Sequence, residues 1–171
     1  MEHNEHIRPG YSSQELYPPI KVQSKNKYYA EILMNDYAGI VSEMSAINQY
    51  LYAYFISDTN KEIAELFENI SITEMLHLEI LAKLITLLGE KPVYRGGYNT
   101  NNYWSGKYIF YKDNIKNQLE YSIETEKKAI QNYLNDINLI KDRYIQDVLK
   151  RIILDEEVHI KLFEQSLNKY I

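Results

Sequence analysis

Apolar positions recur at helical spacing along most of this 171-residue chain, and the places where the rhythm stops divide it into four runs. Ile32, Ile40, Ile47, Leu51 and Phe55 predict one helix over about residues 28–57. "SDTNK" at 57–61 supplies turn chemistry, and a second periodic run follows to Leu88, closed by Gly89 and Pro92 within "GEKP". Together these runs predict an antiparallel helical hairpin. Runs over about 113–140 and 143–169, split near "KDR", predict another. Between the hairpins, "VYRGGYNTNNYWSGKYIFYK" is too polar and too broken for a helix and is expected to cross over as a packed lid. Residues 1–27 carry three of the four prolines and little periodicity, which predicts an extended N-terminal arm, disordered in part. The expected fold is all-α: an antiparallel four-helix bundle over residues 28–171, made of two helical hairpins joined by a long crossover.

The two hairpins read as copies of one another. "EMSAINQYL" at 43–51 aligns without a gap on "EKKAIQNYL" at 126–134, and "EMLHLEIL" at 74–81 aligns on "EEVHIKLF" at 156–163. Glu43 thus pairs with Glu126, Tyr50 with Tyr133, Glu74 with Glu156 and His77 with His159. Each half holds one lone Glu and one Glu-x-x-His. At roughly 1.5 Å per residue, Glu43 lies about 21 Å from the first turn and Glu74 about 20 Å, so the two share one depth. The second hairpin gives the same pair of lengths for Glu126 and Glu156. Hairpins packed face to face would bring four carboxylates and two imidazoles together at the middle of the bundle.

Four ionised glutamates in a dry core need compensation, because one unpaired buried carboxylate already costs several kcal/mol. No Lys or Arg is placed inward around them, whereas two divalent cations would balance the charge and give each ion one imidazole. A single Glu-x-x-His is commonly an exposed pair; two copies inside a repeat, each with an inward Glu about 30 residues upstream, favour a dinuclear metal site. Tyr50 and Tyr133 stand two turns beyond Glu43 and Glu126 on the same faces, placed either to fill the core or to donate hydrogen bonds near the metals. Met75 is assigned to packing, Asp36 and Glu79 to helix surfaces or the surroundings of the site, and His3 and His6 to a solvated tail.

Composition narrows the chemistry further. Hydrophobic residues make up 45% of the chain, enough for one domain with a substantial core. A net charge of −5 without a long basic cluster argues against nucleic acid or an anionic membrane as partner. The absence of cysteine excludes disulfides, thiolate metal sites, iron–sulfur centres and thiol nucleophiles, so a buried metal must take oxygen and nitrogen donors. With no apolar run long enough for a membrane span and no signal-peptide core, a cytoplasmic protein is expected.

"EMSAINQYL", "EMLH" and "DEEVHI" resemble the ferritin-like superfamily, specifically its bacterioferritin and rubrerythrin branch, over about residues 30–168. The resemblance implies that Glu43, Glu74, His77, Glu126, Glu156 and His159 are metal ligands, with Glu74 and Glu156 bridging. It also implies that Asp155 orients a ligand histidine, a support that histidine ligands usually have; the matching position in the first repeat is Thr73. Twelve residues follow His159, too few for the fifth helix of cage-forming bacterioferritins, so a storage shell is not expected. Rubrerythrins carry an additional Glu where this chain has Ala129, and a Cys-rich iron domain that it lacks. Electrons for an oxidase would therefore come from an external donor protein. "EMLHLE" also resembles manganese catalases. The implied function is that of a dinuclear non-haem oxidoreductase acting on peroxide or dioxygen, with iron as the expected metal and manganese as the alternative, in a homodimer. Peroxide dismutation of the manganese catalase type is one alternative, and a non-catalytic iron-binding or structural coat protein is another.

Overall fold

The computed structural model describes Asn4 and residues 7–57, 59–97 and 102–170; His3 and His6 lie outside these. Among the described residues five α-helices form: α1 (Lys27–Ala38), α2 (Glu43–Phe55), α3 (Lys61–Leu87), α4 (Ile115–Leu139) and α5 (Arg143–Leu167). α2 packs along α3 and α4 along α5, giving the two hairpins, while α1 continues the line of α2 along the other end of α3. Only isolated bridges, and no strands, occur among the described residues.

The run expected as one helix over 28–57 is therefore two. Gly39 donates to Asn35 O at 2.8 Å, and a Cβ at Gly39 would sit 2.5 Å from that same oxygen. Any larger residue would push this turn apart. Ser42 then restarts the chain as a helix: its hydroxyl accepts from Ser45 N at 3.3 Å and donates to Gly39 O at 2.9 Å. Glu43 becomes the first residue of α2, at the positive end of the helix dipole, which favours its carboxylate. Ile40, expected on the apolar face, sits in the break and is 63% exposed; Phe55, at the far end of α2, is 68% exposed.

Other boundaries follow their capping residues. Asn60, Asn114 and Asp142 each accept a backbone N–H at the start of α3, α4 and α5. α3 closes in a Schellman motif, with Gly89 N donating to Thr86 O at 3.0 Å and Glu90 N to Ile85 O at 3.2 Å. The crossover is pinned to the bundle: Phe110 N donates to Gln49 Oε1 at 2.8 Å, Trp104 Nε1 to Ser45 Oγ at 3.0 Å, and Arg95 forms a bidentate pair with Glu31.

The core falls into two apolar parts. Leu33, Met34, Ile80, Leu81, Leu84, Val148, Leu149 and Ile152 fill one end. Tyr50, Phe67, Leu119, Ile123 and Phe163 fill the other, where the rings of Tyr50, Phe67 and Phe163 meet with centroids 5.3–5.9 Å apart. Met75, expected to pack, is instead 42% exposed, and Glu79 is exposed, while Asp36 is buried. Polar side chains occupy the layer between the two apolar parts.

Candidate metal centre

Six of those side chains are Glu43, Glu74, His77, Glu126, Glu156 and His159, each at most 3% exposed. α2 and α4 contribute one glutamate apiece, and α3 and α5 each contribute a Glu and a His one turn apart. His77 Nδ1 lies 2.9 Å from Glu74 Oε2, 3.2 Å from Glu156 Oε1 and 3.5 Å from Glu43 Oε2. His159 Nδ1 repeats the pattern at 2.9 Å from Glu74 Oε1, 2.9 Å from Glu156 Oε2 and 3.5 Å from Glu126 Oε1. Two four-residue groups result, Glu43/Glu74/His77/Glu156 and Glu74/Glu126/Glu156/His159, with the donor atoms of each group within 4.8 Å of one another. Glu74 and Glu156 belong to both.

Protons alone fit this arrangement poorly. Each Nδ1 faces three carboxylate oxygens, yet offers at most one hydrogen. His159 Nδ1 lies beside buried Glu74 Oε1, but its single hydrogen cannot serve both that oxygen and Glu156 Oε2. The far nitrogens settle which atom faces inward: His77 Nε2 donates to Asp155 Oδ2 at 3.1 Å, and His159 Nε2 to the Tyr11 carbonyl at 3.1 Å. Because these partners accept, Nε2 carries the hydrogen and Nδ1 is the donor atom a cation would use. Oxygen and imidazole donors of this kind suit divalent iron and manganese alike.

Electrostatics show what the cluster does without such ions. Burial, reinforced by Glu156 and Glu126, raises the Glu74 carboxyl well above the usual carboxylate range. Burial and the charge of Glu156 push Glu126 up to about 7. For Glu156 burial pulls the same way, but His77 and His159 outweigh it and bring it down to about 2. Burial disfavours both imidazolium ions, yet Tyr17, Glu156 and Glu43 around His77, and Glu74, Glu126 and Glu156 around His159, raise both well above the ordinary histidine value. Retained protons thus take the place of missing positive charge.

Tyr50 and Tyr133 are both fully buried and both reach the site. Tyr50 OH donates to Glu126 Oε1 at 2.5 Å, and Tyr133 OH donates to Glu43 Oε1. Burial first, then these glutamates, raise both phenols well above their ordinary value, so each hydroxyl keeps its hydrogen. Of the two roles open to them, core filling and hydrogen bonding, they perform both. They also line a narrow cavity of about 30 Å³ beside Glu43, Glu74, Glu126 and Glu156. A larger cavity of about 360 Å³ adjoins it, sharing the lining residues Asp36, Ile40, Val41, Tyr108 and Asn132.

Asp155 sits on α5, and its Oδ2 lies 3.1 Å from His77 Nε2, with further partners that the sequence does not announce. Arg151 Nη1 lies 2.8 Å from its Oδ1, Ser13 N donates to Oδ1 at 2.7 Å, and Tyr17 OH donates to Oδ2 at 2.5 Å. Burial opposes ionisation of Asp155, but His77, Tyr17 and Arg151 together hold its carboxyl well below the usual range. Arg151 is thus an inward cation, 3% exposed, where none was expected. Its spacing of four residues from Asp155 on one helix was the available signal. The arm's contributions from Tyr11, Ser13 and Tyr17 had no comparable one.

A family model described as the ferritin-like domain matches residues 38–170. A probable manganese catalase of Clostridium acetobutylicum is 26% identical over 170 residues, covering 88% of this chain and 75% of that protein. In fold, the chain is similar to KatB, a manganese catalase from Anabaena, at 24% identity and a TM-score of 0.83, covering 92% and 79% of the two chains. It is also similar to the bacterioferritin BfrA of Mycobacterium tuberculosis, at 24% identity and a TM-score of 0.71, covering 85% and 87%. Among the described residues no helix is long and apolar enough to cross a membrane. With a match that spans most of the bundle and all six clustered side chains, the chain belongs to the ferritin-like domain family.

Proposed function

We propose that this protein is a dinuclear metal oxidoreductase that disproportionates hydrogen peroxide, with manganese as its metal. The observation that carries this reading is the pair of overlapping donor groups sharing Glu74 and Glu156 beside a narrow cavity. At about 10–15 Å³ for each water-sized group, the cavity of about 30 Å³ has room for two, the size of a peroxide molecule. Support for manganese comes from the relative named a probable manganese catalase, aligned over 75% of its length.

Held by Glu43, Glu74, His77, Glu126, Glu156 and His159, a pair of redox-active ions would supply two-electron chemistry, by which one peroxide is reduced and another oxidised so that two H₂O₂ become two H₂O and one O₂. The cycle balances without an electron-donor protein. The chain's own part is to hold the site and its protons. Tyr50 and Tyr133 keep Glu126 and Glu43 oriented, and their hydroxyls place hydrogens at the cavity wall. Apolar layers flank the site on both sides and leave the cavity as the way in.

The test is oxygen evolution from peroxide by protein loaded with manganese or with iron. Manganese-loaded protein should evolve oxygen, and Glu74→Ala, which removes a carboxylate common to both groups, should abolish turnover. Fully metallated but inert protein would overturn the enzymatic reading in favour of a structural, iron-binding role. Consumption of dioxygen by the iron-loaded form alone would favour an iron oxidase, the reading to which the fold shared with bacterioferritins lends support.

A further inference from the structure

The two histidines are held from behind in different ways, although the repeat makes the residues around them equivalent. Behind His77 stands Asp155, a carboxylate built into α5 and saturated by Arg151, Ser13 N and Tyr17 OH. The matching position behind His159 is Thr73, whose hydroxyl turns back to Asn69 O at 3.4 Å and offers the ring nothing. Its place is taken by the backbone carbonyl of Tyr11, from the N-terminal arm.

That carbonyl is aimed by a small built device. Tyr11 N donates to Arg8 O at 3.1 Å across Pro9 and Gly10, and Gly10 has φ +88°, as a type II turn requires at its third residue. Ser12 Oγ closes on the same Arg8 oxygen at 2.8 Å. Beyond the turn the arm is docked rather than free. Arg151 donates from Nε to Glu15 O at 2.7 Å and from Nη2 to Ser13 O at 2.9 Å, and its guanidinium stacks 4.2 Å over the Tyr17 ring. Ser12 and Tyr17 are buried.

We propose that the turn from Arg8 to Ser12, the strap, is a positioning segment that makes the two metal positions unequal. It holds the His159 position through one backbone carbonyl of a tight turn outside the helices, so the ion at Glu74/Glu126/Glu156/His159 is the one released first when that turn opens. The ion at Glu43/Glu74/His77/Glu156 stays behind a carboxylate fixed in the bundle. This inference rests on the dinuclear reading, and the test separates the two.

Full-length protein loaded with manganese is mixed with excess EDTA, and the manganese bound per chain and its release rates are followed. Wild type is expected to hold two ions. Gly10→Ala disfavours the turn without a clash, since nothing lies within 4 Å of a Cβ at that position. It should speed the release of one ion by about ten-fold and leave the other unchanged, in line with the cost of losing the partner behind a histidine ligand. Gly10→Asn, which tolerates a positive φ, should restore slow release. Deletion of residues 1–12 should speed the same ion by about ten- to a hundred-fold. Equal acceleration of both ions, or none in either the deletion or Gly10→Ala, overturns the strap while leaving the dinuclear site intact. Fewer than two ions in wild type overturns the dinuclear reading and the strap with it.

Discussion

Metal-free protein is expected to lose stability between pH 5 and 7, and the size of the loss can be worked from one residue. Glu126 ionises near 4.5 in an unfolded chain and at about 7 in the folded core, where burial and the charge of Glu156 oppose its ionisation. Over that interval the folded state binds more protons than the unfolded one. Stability is therefore complete below pH 4.5 and declines as pH rises to about 7. At about 1.36 kcal/mol for each pH unit, the interval of about 2.5 units amounts to about 3 kcal/mol. Glu74, whose carboxyl burial also raises, adds to the fall with the same sign. Both histidines are raised as well, so the stability they contribute below pH 6.5 is lost as pH climbs beyond it. Glu156 has the opposite sign, but it titrates between about 2 and 4.5, below the range tested.

Thermal melting of the metal-free and metal-loaded forms at pH 5, 6, 7 and 8 measures this directly. For a chain of this size about 3 kcal/mol corresponds to a Tm lower by about 6–12 °C. Surface groups contribute alike to both forms, so the gap between the two curves isolates the cluster. Bound divalent cations favour the ionised carboxylates, and the gap should widen steadily from pH 5 to 7. A gap that stays constant or narrows would refute the idea that these carboxylates are compensated by metal in the loaded protein and by protons in its absence.

Two further outcomes are expected. Asp155→Asn keeps the side-chain shape but leaves Arg151 buried without its counter-ion; it should destabilise the fold by about 3–5 kcal/mol and weaken manganese binding by about ten- to a hundred-fold, read by thermal melting and by competition against a metal indicator. Tyr50→Phe removes a buried hydrogen bond to Glu126 worth about 1.5–3 kcal/mol, so peroxide turnover should fall by about ten-fold or more with two metals still bound, measured by oxygen evolution beside metal analysis.

The six clustered residues were legible because burying a carboxylate is costly enough to mark its position. Glu43, Glu74, Glu126 and Glu156 interrupt apolar helix faces at equivalent points of a repeat, and few arrangements other than a shared cation site relieve that cost. Hairpin pairing was legible for a similar reason, since the turns at 57–61 and near 141–143 stop the helical period at matching distances from the glutamates. The break between α1 and α2 was not. Gly39 and Ser42 interrupt the helix through a close backbone contact and a cap, and neither disturbs the apolar spacing on either side, so Ile40 read as part of a face it does not share. Met75 misled in the same way, because periodicity assigns a side to a residue but not the presence of a neighbour on that side.

The arm marks a different boundary of what a sequence reveals. Thr73, standing where the second repeat has Asp155, already showed that one histidine would lack a carboxylate behind it. What fills the gap is a main-chain oxygen, and every residue carries one, so no side-chain pattern distinguishes Tyr11 from its neighbours. The visible trace was the Pro9-Gly10 turn, whose chemistry fixes how the chain bends but not what it bends towards. Side chains in this protein repeat almost symmetrically, while the backbone supporting them does not. Differences between the two metal positions therefore arise less from the ligands that the repeat duplicates than from the single arm that it does not.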